Sequence, residues 1–271
     1  MCRDGVLIPG IRGVVRSVCL SEILRVLGVL CGESALEPAV SRVFLLSPAN
    51  CNGRRAKQAL SPNATFALAA ALRSPDGVPI GDLFAFVSGL YFRGKLTYAR
   101  QFAQPPDPSN PVVGAGIHVI TPNAGLRRAE TRVTHAAVRA FARGDVDAGN
   151  AKYRRPLEAS ARALLAEVGP DCDVVLLGSV ASPKYVAVLG AIFGERLTFP
   201  IGFVGRGDMS RGGLLLRQAR EGVELEYVPV LGAVVHGARP PKLPPLARSA
   251  SLSSRETRGT QAGERRWPGR A

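Results

Sequence analysis

Four apolar runs divide the chain, each closed by a polar or glycine-bearing turn. Val43-Phe44-Leu45-Leu46 runs into Ser47-Pro48-Ala49-Asn50, and Ile117-His118-Val119-Ile120-Thr121 runs into Pro122-Asn123-Ala124-Gly125. The clearest, residues 173–177, ends in Gly178-Ser179; the fourth, residues 197–204, is broken by Pro200 and Gly202. Runs this short, apolar at consecutive positions and bounded by turn residues, predict strands buried on both faces. Between them the spacing turns helical. Residues 53–72 predict two helical pieces separated at Pro62, and residues 80–87 a short amphipathic segment. Residues 93–102 predict a helix with Leu96, Ala99 and Phe102 on one stripe. Helices are also predicted over 131–143, 152–168, 183–193 (with Pro183 at its first turn) and 210–221, the last with Ser210 as N-cap. Residues 225–228 suit a final edge strand, and the Pro/Gly/Asn-rich residues 104–116 a loop.

Strands alternating with helices predict an α/β fold: three αβα layers around a mostly parallel sheet of four to five strands. In such sheets ligands bind beyond the carboxyl ends of the strands. The loops after the four strands are therefore expected to converge. They carry Asn50, Cys51 and Asn52; Asn123, Arg127 and Arg128; Ser179, Ser182, Lys184 and Tyr185; and Arg206, Asp208, Ser210 and Arg211.

Charge changes the picture at the ends. The net charge is +14, and residues 239–271 hold eight basic against two acidic residues, +6 of that total. With its Pro-Pro pairs and Ser/Arg/Gly run, this segment predicts a disordered basic tail suited to polyanion contact, or simply a solvated one. Residues 1–41 read as a loosely ordered extension, because Arg3, Arg12, Arg16 and Arg25 interrupt every apolar stretch that could form a signal or membrane segment. Residues 42–238 form the single α/β domain. Five cysteines without a C-x-x-C pair, and three histidines outside any ligand pattern, argue against a disulfide framework or structural zinc and fit a reduced, cytoplasmic setting without metal or cofactor.

The richest chemistry lies in Phe203-Val204-Gly205-Arg206-Gly207-Asp208-Met209-Ser210-Arg211-Gly212-Gly213. A glycine-broken turn opening a helix brings backbone N–H groups and two guanidinium groups together, an arrangement suited to phosphate or carboxylate. Arg206, Ser210 and Arg211 are the phosphate candidates, although an ion pair of either arginine with Asp208 is nearly as good a reading. Asp208, the one carboxylate in the four loops, is the candidate general base, with Asn50 as a second group able to polarise water. Ser179, Lys184 and Tyr185 are candidate substrate contacts. Cys51 is either a nucleophile activated by Arg54 and Arg55 or, more simply, a packed residue. Tyr91, Arg93 and Lys95 could stack a base and hold its phosphate, although a core of Phe92, Leu96 and Tyr98 under a solvated charged face explains the pattern slightly better.

The order of these segments resembles the uracil-DNA-glycosylase-like superfamily, and most closely uncharacterised bacterial and phage families of that architecture. The pieces that carry the resemblance are the first strand ending at Ser47; Leu90-Tyr91-Phe92-Arg93-Gly94-Lys95 leading to Tyr98-Ala99; Val119-Ile120-Thr121 with Gly125-Leu126; residues 174–178 with Tyr185 and Leu189; and Met209-Ser210-Arg211-Gly212-Gly213. They span about residues 42–230. The resemblance implies a DNA-gripping serine loop near Ser210, and an activating Asp or Asn after the first strand, where this chain offers Asn50 or Asn52. The family's late catalytic histidine has no counterpart here. Together these features predict a protein that binds nucleic acid (DNA or RNA) or a nucleotide phosphate, with action on a base or glycosidic bond as the extension. The alternatives are a hydrolase or transferase acting on a small phosphorylated metabolite, and a non-catalytic interaction module.

Overall fold

A computed structural model describes residues 41–243, apart from Ser182 and Val235. The expectations for residues 1–40, for the tail beyond residue 243 and for Ser182 lie outside the described residues. Strands β1 (Arg42–Leu46), β3 (Ile117–Thr121), β6 (Asp173–Leu177) and β7 (Leu197–Pro200) are parallel, with β1 between β3 and β6. Phe44 pairs with Ile117 on one side and Val175 on the other. Val43 to Leu46 and Val174 to Leu177 are fully buried, as a sheet covered on both faces requires.

Two antiparallel strands complete a six-stranded sheet of order β4-β3-β1-β6-β7-β8: β4 (Gly125–Arg128) and β8 (Tyr227–Pro229). β8 lies close to the expected edge strand. β4 is an addition, and four to five strands become six. Its N-terminal half is buried and its Arg127 and Arg128 are exposed. The Leu126 amide donates to Ser160 Oγ at 2.8 Å, fastening it to the helix above. A separate two-stranded ribbon pairs β2 (Val78–Pro79) with β5 (Arg132–Val133), and Arg132 donates to the carbonyls of Asp76 and Gly77. That pairing takes up the start of the helix expected from residue 131, so α5 begins at His135 and runs to Arg143.

Helices α1 (Arg54–Leu60), α2 (Ala67–Arg73), α3 (Ile80–Ser88) and α4 (Leu90–Phe102) lie between β1 and β3 in the chain. Helices α6 (Ala151–Glu167), α7 (Pro183–Phe193) and α8 (Asp208–Glu221) complete the set among the described residues. α4 packs on β1, α3 and α8, while α6 packs on α7, β3 and β4. Gly89, at φ +68°, turns the chain between α3 and α4 without a residue of loop to spare. α4 then crosses α8 at glycine. A Cβ on Gly94 would lie 2.7 Å from the Gly212 carbonyl oxygen, and one on Gly212 would lie 2.8 Å from Tyr91 Cα. The backbones meet directly there, which brings the N-terminal turns of both helices to one place at the end of β1.

Ser210 is not the N-cap of α8. The helix starts two residues earlier, with Gly207 in the capping position, and Ser210 lies inside its first turn. β7 is shorter than predicted, because Pro200 ends it and Ile201–Phe203 form a single 3-10 turn.

Candidate functional site

β1 and β6 remain paired to their ends, where the Ser47 amide donates to the Leu177 carbonyl at 3.1 Å. Beyond that bond the loop after β1 leads to α1 and the loop after β6 leads to α7. The chain order around β1 reverses here, which makes this the switch point where an open α/β sheet leaves a crevice. A cleft of about 570 Å³ occupies it. Ser47, Asn50, Cys51 and Asn52 line it from β1, Tyr91 and Lys95 from α4, Ser179, Lys184 and Tyr185 from the β6–α7 side, and Asp208 from α8. All four strand-end loops thus reach the cleft, the one after β3 by a single apolar residue. The loop after β3 contributes Pro122, while Arg127 and Arg128 lie in β4.

Lys95 is the residue whose surroundings differ most from the pattern-based reading. A lysine in an amphipathic helix predicts a wet face, yet Lys95 is 1% exposed. Its Nζ donates to the Ser47 carbonyl at 2.7 Å and to Ser47 Oγ at 2.8 Å, and lies 4.6 Å from the ring centres of Tyr91 and Phe92. Among the described residues it forms no ion pair. Burial pushes its pKa down to about 7, against the pull of the Asp208 carboxylate. Tyr91 stands one turn before it on the same face. Its buried hydroxyl makes no hydrogen bond of good geometry, and burial raises its pKa while the Arg211 cation offsets part of that rise. Arg93, two positions from each, is exposed on the opposite side of α4 and does not line the cleft. Positions i and i+2 of a helix diverge by about 200°.

On the other wall the Tyr185 hydroxyl accepts the Ser179 amide at 3.0 Å. Burial raises the Tyr185 pKa, while that bond and one from the Ser47 side chain oppose the shift. Asn50 stands exposed at the mouth, its Oδ1 accepting the Asn52 amide at 2.9 Å, and Asn52 Nδ2 reaches the Ala142 carbonyl at 2.6 Å. Asp145, from the loop after α5, also lines the cleft and gives Asp208 a second carboxylate for company. The four strand-end loops do not contain it; its signal was the Gly144-Asp145 turn closing a predicted helix.

The arginines of the 203–213 stretch separate. Arg211 is buried: its Nε donates to the Phe203 carbonyl at 3.2 Å, its guanidinium lies 5.5 Å from the Phe203 ring, and Nη1 is 3.7 Å from Asp208 Oδ1. Arg206 donates to the Gly202 carbonyl at 3.0 Å and to Ser210 Oγ at 3.2 Å. With Ser210, Arg217, Arg239 and Lys242 it lines a separate groove of about 370 Å³, where Pro241 and Leu243 run beside α8. Because Ser210 and Arg211 belong to a helical turn, successive side chains point about 100° apart. Arg206 and Ser210 face this groove, and only Asp208 of the stretch faces the cleft.

Cys51 lines the cleft but is 4% exposed, its Sγ 3.8 Å from the Ala49 carbonyl, and burial pushes its thiol up to about 11. Cys172 is likewise buried and pushed up to about 11. Neither is a thiolate near neutral pH. In native protein at pH 8, iodoacetamide should leave both unmodified by peptide mapping, with full labelling of both in denaturant; native labelling of Cys51 would restore it as a nucleophile. No histidine lines the cleft: His118 lies buried in β3, its pKa lowered to about 4 by burial and by Arg128, and His135 Nε2 meets the Leu60 carbonyl at 3.2 Å. Among the described residues no cluster of three metal-ligating side chains occurs, and no helix is long and apolar enough to cross a membrane.

No protein-family model, curated protein or solved structure matches the chain.

Proposed function

We propose that the cleft at the end of β1 receives one nucleotide unit of a nucleic acid and that the base or its glycosidic bond is the part acted on. The observation that carries this reading is Lys95, a buried amine in the floor of a polar cleft whose hydrogen-bond partners among the described residues are two Ser47 oxygens. Breaking a glycosidic bond leaves negative charge on the departing base and positive character on the sugar. A cation held ready in a low-dielectric floor stabilises the first, and the carboxylates of Asp208 and Asp145 suit the second or a water aimed at it. Tyr91, Phe141 and Tyr185 add ring surface to the walls. The volume of about 570 Å³ lies in the usual range for a ligand pocket.

The groove on the other side of the first turn of α8 favours a polymer over a free metabolite. Arg206, Arg217, Arg239 and Lys242 line it with no carboxylate among the lining residues, and such a track suits successive phosphates. The resemblance to the glycosylase-like superfamily points the same way.

Fluorescence anisotropy with single-stranded DNA, duplex DNA and RNA over a salt series tests the reading. Binding should weaken with salt, and Arg206→Ala and Arg239→Ala should each lower the slope of log K against log salt by roughly 1. Alkali-sensitive sites should then appear in oligonucleotides carrying deaminated or alkylated bases. If no oligonucleotide binds while ribose 5-phosphate or a nucleoside monophosphate raises the melting temperature, the cleft serves a small phosphorylated ligand instead. If oligonucleotides bind and no altered base is released, the chain is an interaction module.

A further inference from the structure

We propose that Lys95 is a nucleophile toward carbonyl carbon: its Nζ forms an imine with the aldehyde of a ring-opened sugar held in the cleft. This rests on the nucleotide-cleft reading above and deepens it by naming the sugar's aldehyde form as a substrate class.

The choice of cation is the first support. The chain has five lysines against thirty arginines, so arginine is its ordinary basic residue. A guanidinium holds its proton and does not attack carbonyls, whereas an ammonium can give up its proton and expose a lone pair. A lysine stands at the one described position where a basic side chain is fully buried in the cleft.

The hydrogen bonds are the second support. A protonated lysine has three N–H donors and a neutral one has two. The carbonyl and hydroxyl of Ser47 accept two. The neutral amine is thus fully satisfied as a donor, and among the described residues a third proton would meet no carboxylate, only the faces of the Tyr91 and Phe92 rings. The surroundings agree with this geometry, since burial brings the pKa to about 7 and both forms are present near neutral pH.

The reaction balances without an oxidant or reductant. The Nζ lone pair attacks the aldehyde carbon, the carbonyl π pair moves to oxygen, and that oxygen takes up one of the two Nζ protons to give a neutral carbinolamine. The Asp208 carboxylate, which lines the same cleft, relays the second Nζ proton to the hydroxyl, which leaves as water as the nitrogen lone pair closes the C=N bond. The two Nζ protons and the carbonyl oxygen make up the water, and Asp208 ends as it began. Hydrolysis reverses each step.

Reductive trapping is the test. The full chain is incubated with cyanoborohydride and either an oligonucleotide bearing an abasic site or ribose 5-phosphate, and the adduct is located by peptide mapping. The expected result is a secondary amine on Lys95 that persists in Lys152→Arg, at an exposed lysine away from the cleft, and is lost in Lys95→Arg. The trapping rate should rise as pH increases through about 7. An adduct on Lys95 with ribose 5-phosphate alone keeps the nucleophile and removes the nucleic-acid reading. Binding of the oligonucleotide without an adduct on Lys95 does the reverse. Label confined to Lys184, Lys57, Lys152 or Lys242, unchanged in Lys95→Met, overturns the proposal.

Discussion

Replacing Lys95 with methionine is expected to make the protein more stable below neutral pH while removing the charge in the floor of the cleft. The ordinary lysine pKa is 10.5, and in the fold it falls to about 7. Between those values the unfolded chain binds a proton that the folded chain has released, so stability rises with pH across that interval. Below pH 7 the whole cost of burying the ammonium is present. At about 1.4 kcal/mol per pH unit, that cost is on the order of 4–5 kcal/mol. Methionine fills a similar volume and carries no charge, but it leaves the two Ser47 oxygens without a donor, a loss of about 1–3 kcal/mol. The net gain should be about 1–4 kcal/mol at pH 6, shrinking and then reversing toward pH 10. Urea denaturation at pH 6 and pH 9.5 measures it. A variant destabilised equally at both values would mean that Lys95 sits comfortably as a cation and holds no reactive neutral amine near pH 7. A stabilising change that abolishes binding or trapping is the signature of a residue kept for function.

Gly212→Ala should cost about 3 kcal/mol, although alanine is the better helix former by about 1 kcal/mol. The added Cβ would lie 2.8 Å from Tyr91 Cα and 3.0 Å from the Leu90 carbonyl oxygen, both backbone atoms, so α4 and α8 must separate. Gly94→Ala meets the same crossing from the other side. Gly213 provides the control one residue away, where a Cβ would find only Leu243 Cδ1 at 3.7 Å. Gly213→Ala should therefore raise stability by about 0.5–1 kcal/mol. Thermal melts of the three variants give the signs. Equal effects at positions 212 and 213 would refute the close crossing. Since Tyr91 and Lys95 ride on α4 and Asp208 on α8, separation of the helices should also weaken ligand binding in Gly212→Ala.

The parts of the fold that could be read in advance are those whose patterning is complete within one segment. Val43 to Leu46 and Val174 to Leu177 have no polar interruption, and burial on both faces follows. Pro62 divided two helices as proline should. β4 escaped because Gly125-Leu126-Arg127-Arg128 is half exposed and too short to show alternation. Ser210 suits a cap by residue type, whereas the extended backbone of Gly207 opens α8 with no side-chain bond. That shift of two residues is why Arg206 and Arg211 do not act as one clamp. Lys95 escaped for a different reason. Its burial depends on α4 being enclosed by β1, α3 and α8 together, and that enclosure depends on Gly94 meeting Gly212, a contact between residues more than a hundred positions apart. Asp145 reaches the cleft through the loop after α5, which belongs to none of the four strand ends.

The two outer strands of the sheet bear on how copies of this chain behave when crowded. An open sheet edge is a template onto which another chain can add, the first step toward fibrous aggregates. At one side β4 carries the exposed Arg127 and Arg128, so two such edges repel each other on approach. At the other, β8 is three residues long and ends in Pro229, which has no amide proton to offer a further strand. Among the described residues, the six-stranded sheet thus carries like charge on one flank and a missing donor on the other, and both discourage the addition of a further strand.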